Sequence, residues 1–196
     1  MIKTEHSMKK IIFVCHGNIC RSPMAEFVMK KLVKDAGREA EFEITSMAVS
    51  GEEWGNPIYP PAKAKMREHG IPFGDHRAHK ITPQEFAEAD LVVIMDESNR
   101  RLLTRIVGDI SGATAPSESF VSQGLPAPGT TAPSRITSPT GAFANQGPVA
   151  SGRSKVRKLM EFVGLDRDVA DPWYTGDFEA TYRDIFTACR ALLAIL

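Results

Sequence analysis

Apolar residues occur along this chain in short unbroken runs that alternate with stretches of helical spacing. Lys10-Ile-Ile-Phe-Val14 is an apolar, β-branched run, and Leu91-Val-Val-Ile-Met95 has the continuous hydrophobicity of a strand covered on both faces. Phe42-Glu-Ile-Thr-Ser46 alternates instead, in the manner of a half-buried strand. Between these runs, Ala25, Val28, Leu32 and Ala36 recur at helical intervals until Gly37, a suitable C-terminal cap. Residues 61–68 read as a second helix ending at Gly70, residues 98–106 as a third, and residues 180–196 as a fourth. The last carries Tyr182, Ile185, Phe186, Cys189, Leu192 and Leu193 along one side, which predicts its inner face. Residues 156–162 fit helix or strand equally well. Strands alternating with helices predict an α/β fold built on a parallel, doubly wound sheet, whose ligands bind beyond the carboxyl ends of the strands.

One segment breaks this rhythm. Residues 109–152 are mostly Gly, Ala, Ser, Thr and Pro with hardly any charge, a composition that buries too little surface to offset its ordering entropy. As a single loop it far exceeds ordinary connections, so a disordered insertion is expected inside one domain spanning residues 1–196. The 24 basic and 24 acidic residues cancel, which argues against a nucleic-acid partner. The polar N-terminus and the short apolar run after it suit neither a signal peptide nor a membrane span, so the cytoplasm is the expected location. Three cysteines, an odd number, fit a reducing compartment better than a disulfide framework.

The chemistry concentrates where the first strand gives way to the first helix: Cys15-His-Gly-Asn-Ile-Cys-Arg-Ser22, followed by Pro23. The first amides of a helix lack intrahelical partners and point out of its positive end, where an oxyanion is the natural occupant. A loop of inward-turned backbone N–H groups from His16 to Ser22 would add a nest, and Arg21 can hold two phosphate oxygens at once. Cys15, at the base of this cup, is expected to act as a thiolate nucleophile. Gly17 and Asn18 tolerate the left-handed backbone angles that such a loop requires. Ser22 is placed either to donate a hydrogen bond to the sulfur or to cap the helix. Cys15 and Cys20 also read as a loose metal pair, but no second Cys/His pair follows at finger spacing, and no metal site or cofactor is expected.

This octapeptide with its flanks, Val14 to Glu26, resembles the signature of the low-molecular-weight protein tyrosine phosphatases. Asp171-Pro-Trp-Tyr-Thr-Gly-Asp-Phe-Glu179 is similar to the second signature of that family, and Met95-Asp-Glu-Ser-Asn99 and Glu68-His-Gly-Ile71 match further landmarks. The resemblance covers residues 9–105 and about 154–196. It implies a three-layer, doubly wound, four-stranded parallel sheet with helices on both faces, residues 156–162 supplying the fourth strand. It also implies a phosphotyrosine-protein substrate, with Cys15 as nucleophile, Arg21 on the phosphoryl group and Asp171 as general acid. Asn18, Ser46 and His69 would support the loop, and Cys20 would form a reversible disulfide with Cys15. His6, His76 and His79 read as surface residues.

Trp173 and Tyr174 follow Asp171 and are expected to sandwich a phenyl ring. Trp54 lies in the stretch Ser50-Gly-Glu-Glu-Trp-Gly-Asn-Pro57, which resembles the variable specificity loop of the family; where the family often has an aromatic residue, this chain has Glu52. Three rival readings share the loop. An arsenate reductase needs two further shuttling cysteines, and none lies between Cys20 and Cys189. A protein-arginine phosphatase of this family typically carries Thr where Ile19 stands, so Ile19 favours phosphotyrosine. A non-catalytic phosphate-binding module would not need Cys15, Arg21 and Asp171 together. The sequence carries no signal of oligomeric state.

Overall fold

The computed structural model describes residues 8–112 and 154–196. Four parallel strands, β1 (Lys9–Cys15), β2 (Phe42–Ala48), β3 (Leu91–Ile94) and β4 (Val156–Lys158), form one sheet in the order β2-β1-β3-β4. Helices α1 (Arg21–Asp35), α2 (Pro60–Glu68), α3 (Pro83–Glu88), α4 (Glu97–Val107), α5 (Pro172–Thr175) and α6 (Phe178–Ile195) connect and cover them. The chain leaves β1 for β2 on one side and later returns to place β3 on the other. Cys15, at the end of β1, therefore stands at the point where the winding direction reverses, the usual ligand crevice of an open α/β sheet.

Strand periodicity explains the three layers. Successive side chains of β1 point to opposite faces, so Ile11, Phe13 and Cys15 enter the core beneath α1 and α6, whereas Ile12 and Val14 enter the core beneath α3 and α4. Phe13, Val14, Val92, Val93 and Ile94 are fully buried in these two cores, each worth about 2 kcal/mol of transfer free energy. Burial on both faces is why β1 and β3 read as unbroken apolar runs.

Several boundaries differ from expectation. The fourth strand covers only Val156–Lys158; a 3-10 turn, Leu159–Val163, takes the rest of the ambiguous stretch. Helix α3 is six residues long, too short for helical spacing to mark it, yet Thr82-Pro-Gln-Glu85 is a legible capping box. Thr82 Oγ1 accepts from Glu85 N at 3.2 Å, and Glu85 Oε2 accepts from Thr82 N at 2.9 Å. Gly37 has the positive φ expected of a helix cap. The insertion expected at 109–152 lies, from residue 113 onward, outside the described residues. Among the described residues no helix is long and apolar enough to cross a membrane.

Candidate active site

The loop between β1 and α1 curls around the Cys15 sulfur. Asn18 N donates to Cys15 Sγ at 3.3 Å, and Ser22 Oγ lies 3.0 Å from it. Asn18 is the only non-glycine residue with positive φ among the described residues, as its place in an inward-turned loop demands. Gly17 does not share that conformation and serves space instead: a Cβ there would meet Glu53 Cγ at 2.9 Å. The helix starts at Arg21, so Ser22 sits inside its first turn and does not cap it.

A buried chain of hydrogen bonds fixes the loop, and its donor direction can be followed. Glu26, on α1 and nearly buried, accepts from Ser46 Oγ at 2.6 Å. The Ser46 oxygen is then an acceptor for Asn18 Nδ2, whose second hydrogen reaches Ser22 Oγ, both at 2.9 Å. The Ser22 hydroxyl proton is left to point at Cys15 Sγ, with Met47 O its more distant alternative at 3.4 Å. Asn18 Oδ1 accepts from His79 N at 3.3 Å, so every polar atom of that buried amide is used.

His69 does not belong to this network. Its ring stacks on Tyr182 at 3.7 Å and its Nε2 pairs with Glu179 at 2.9 Å, which ties α2 to α6. His76 stands in its place, with Nε2 donating to Asn18 O at 2.8 Å and Nδ1 4.0 Å from Glu26. Its side chain is 8 % exposed, against the expectation of a surface residue. Nothing in the polar stretch around His76 announces this. Long-range backbone ties deliver it: segment 78–81 runs beside the end of β2, with Ala48 N bonded to His79 O and Ile81 N to Ala48 O.

Arg21, 3 % exposed, lies beside the same crevice. Its Nη1 donates to Asp96 Oδ2 at 2.6 Å and Val169 O at 3.2 Å, and its Nη2 donates to Asp171 Oδ2. Burial works against its charge, but Cys15, Asp171 and Asp96 outweigh burial and hold the guanidinium more firmly protonated than usual. Asp96 caps α4 through Asn99 N and accepts from Ser98 Oγ. Burial would raise its pKa; the Ser98 hydrogen bond and the charge of Arg21 more than compensate and hold it below the usual carboxylate range. A cavity of about 310 Å³ adjoins Arg21 and Asp171, walled also by Ser98, Arg101 and Asp168. Among the described residues no cluster of His, Cys, Asp or Glu is arranged to hold a metal.

The three expected aromatic residues are strongly exposed: Trp54 at 68 %, Trp173 at 55 % and Tyr174 at 86 %. The loop bearing Trp54 is fastened to the Cys15 loop, with His16 Nε2 2.9 Å from Glu52 Oε2 and Ser50 N bonded to His16 O. Tyr59, which no motif of the sequence marks, packs on Trp173 with ring centroids 5.2 Å apart, while its N bonds to Ile19 O. Ile19 and Cys20 form a small apolar cluster with Ala78, Tyr59 and Phe178. All three cysteines are free thiols. Burial, reinforced by Cys15, pushes the Cys20 thiol up to about 12, and burial raises Cys189 further. Iodoacetate at neutral pH is therefore expected to label Cys15 and spare Cys20 and Cys189, a pattern that peptide mapping reads directly.

A family model described as low molecular weight phosphotyrosine protein phosphatase matches residues 10–122. This chain belongs to that family. The low molecular weight phosphotyrosine protein phosphatase of Pongo abelii is 44 % identical over 191 residues, covering 96 % of each chain. The Homo sapiens protein of the same name is 43 % identical with the same coverage. Among solved structures, YfkJ from Bacillus subtilis superposes with a TM-score of 0.71 at 29 % identity, covering 97 % of this chain and 95 % of that one. The phosphatase fold places Cys15, Arg21 and Asp171 together at the carboxyl ends of the strands, with the network from Asn18 to Glu26 beneath them.

Proposed function

We propose that this tyrosine phosphatase, a phosphoric monoester hydrolase, acts on phosphotyrosine in proteins through Cys15, Arg21 and Asp171. The convergence of a buried thiol, a buried guanidinium and a carboxylate bonded to that guanidinium carries the assignment. The Cys15 thiolate attacks phosphorus in line, forming the S–P bond as the P–O bond to the phenol breaks. Asp171, protonated, delivers its proton to the leaving oxygen. In the second step Asp171 accepts a proton from water, which attacks the cysteinyl phosphate; the S–P bond breaks, releasing inorganic phosphate and the thiolate. Loop amides from His16 to Ser22 and the Arg21 guanidinium hold the equatorial oxygens throughout, which is where most of the rate enhancement arises. Ser22, with its proton aimed at Sγ, stabilises the sulfur as a leaving group.

Trp173, braced by Tyr59, supplies one wall for a phenyl ring, with Trp54 and Tyr174 at the rim. Comparing aryl phosphate, phosphotyrosine peptide, phosphoarginine and phosphoserine tests the assignment: hydrolysis of the first two is expected to dominate, and equal turnover of all four would overturn it. Three free thiols and a mechanism that needs a reduced Cys15 favour the cytoplasm.

Glu52, paired with His16, and Glu53, packed against Gly17, lie beside the Cys15 loop, where they would favour basic residues flanking the phosphotyrosine. A Glu52→Ala, Glu53→Ala double variant is expected to lose roughly 3–10-fold in kcat/KM on a lysine-flanked peptide while leaving aryl phosphate turnover unchanged, the scale of two exposed charge pairs. Identical peptide kinetics in the two proteins would remove the idea.

A further inference from the structure

We propose that Thr181 and Thr175 are positioning residues for Asp171, a proposal that rests on Asp171 being the general acid. Asp171 begins an excursion that runs through the single turn of α5 to Asp177, the residue capping α6. One helical turn is too short to hold its own shape, so its geometry depends on what fastens its base.

Two threonine hydroxyls do this. Thr181, fully buried in the first turn of α6, places Oγ1 3.1 Å from Ala170 O and 3.1 Å from Asp177 O. A single side chain thus reaches the residue immediately before Asp171 and the last residue of the excursion. Asp177 O also accepts Thr181 N, whereas among the described residues the hydroxyl is the donor to Ala170 O. At the tip, Thr175 Oγ1 donates to Asp171 O at 3.2 Å and accepts from Asp177 N at 3.2 Å. The backbone of Asp171 is thereby held from both sides, its carbonyl accepting also from Tyr174 N and Thr175 N, while its carboxylate is held by Trp173 N on Oδ1 at 3.0 Å and by Arg21 Nη2 on Oδ2.

Upstream, the segment is pinned separately: Val169 N bonds to Met95 O, and Val169 O accepts from Arg21. Losing either threonine hydroxyl therefore leaves the loop attached but lets the carboxylate drift relative to the leaving oxygen. Proton transfer falls steeply with such misplacement, while phosphoryl binding by the loop does not sense it. The signature is dependence on the leaving group. Phenyl phosphate needs a proton on its departing oxygen; 2,4-dinitrophenyl phosphate does not.

The experiment compares kcat/KM on both esters for the full chain and for Thr181→Val, Thr181→Ser, Thr175→Ala and Asp171→Asn, with inhibition by inorganic phosphate as the binding control. Thr181→Val and Thr175→Ala are expected to lose roughly 5–20-fold on phenyl phosphate and less than about two-fold on the dinitrophenyl ester. Thr181→Ser keeps the hydroxyl and is expected to restore phenyl phosphate turnover, and phosphate inhibition is expected to be unchanged in all three threonine variants. Asp171→Asn sets the reference by losing far more on phenyl phosphate than on the dinitrophenyl ester. Equal losses on both esters in Asp171→Asn would defeat the general-acid reading itself. If Asp171→Asn discriminates while the threonine variants lose equally on both esters, or lose nothing on phenyl phosphate, positioning is overturned. Thr175 is exposed, so Thr175→Ala still decides between these outcomes if the buried Thr181→Val does not fold.

Discussion

Cys15→Ser is expected to abolish turnover, by roughly 10⁴-fold or more, because the proposed mechanism needs a thiolate nucleophile and no base among the described residues is bonded to Sγ to activate an alcohol in its place. Among the described residues, the two groups at hydrogen-bonding distance of Sγ are Asn18 N and Ser22 Oγ. An amide donates only, and the upstream network aims the Ser22 proton toward the sulfur, so neither accepts a proton from a serine hydroxyl. Serine nearly matches cysteine in volume, and Cys15 is 3 % exposed at the end of β1, where a small side chain suffices. The fold and the anion cup should therefore survive. The expected pattern is full binding of inorganic phosphate, a melting temperature near that of the wild type, and p-nitrophenyl phosphate hydrolysis at the assay background. Residual activity above about one percent, against the loss expected for a missing nucleophile, would mean another group attacks phosphorus.

The thiol and guanidinium of the candidate site were legible because their local order is itself the structure: strand, turn, helix, with both in one loop. The parallel sheet covered on both faces followed from runs such as Leu91–Ile94, whose burial on two sides forbids alternation, whereas the strand order did not. What escaped was whatever depends on distant segments meeting. His76 and Tyr59 look ordinary in sequence, yet backbone bonds from Ala78 to Asn56 and from Tyr59 to Ile19 carry them to the Cys15 loop. His69 stood beside a recognisable landmark, but α2 turns it toward α6, where Glu179 and Tyr182 take it. Gly17 shows the same limit on a smaller scale. Glycine before asparagine suggests a left-handed pair, whereas the actual constraint on Gly17 is the side chain of Glu53, which sequence proximity does not reveal.

Arg21→Lys is expected to cost roughly 10³-fold in kcat/KM while leaving the protein folded, a loss much larger than one charge-conserving change suggests. The guanidinium is bonded to Asp96, Asp171 and Val169 O at once, and substrate must share it with these partners. A planar fork can do so, holding Asp96 with one nitrogen while offering others to the phosphoryl oxygens. Lysine brings a single nitrogen. Once that nitrogen pairs with Asp96, no second nitrogen is left for the phosphoryl oxygens, so binding suffers as well as the transition state. Inhibition by inorganic phosphate should therefore weaken together with turnover, unlike Cys15→Ser, where binding persists. Asp96 keeps Asn99 N and Ser98 Oγ as partners, so α4 stays capped and unfolding should not account for the loss. A lysine variant that kept phosphate affinity and lost only kcat would place Arg21 on the transition state alone and remove its role in ground-state phosphate binding.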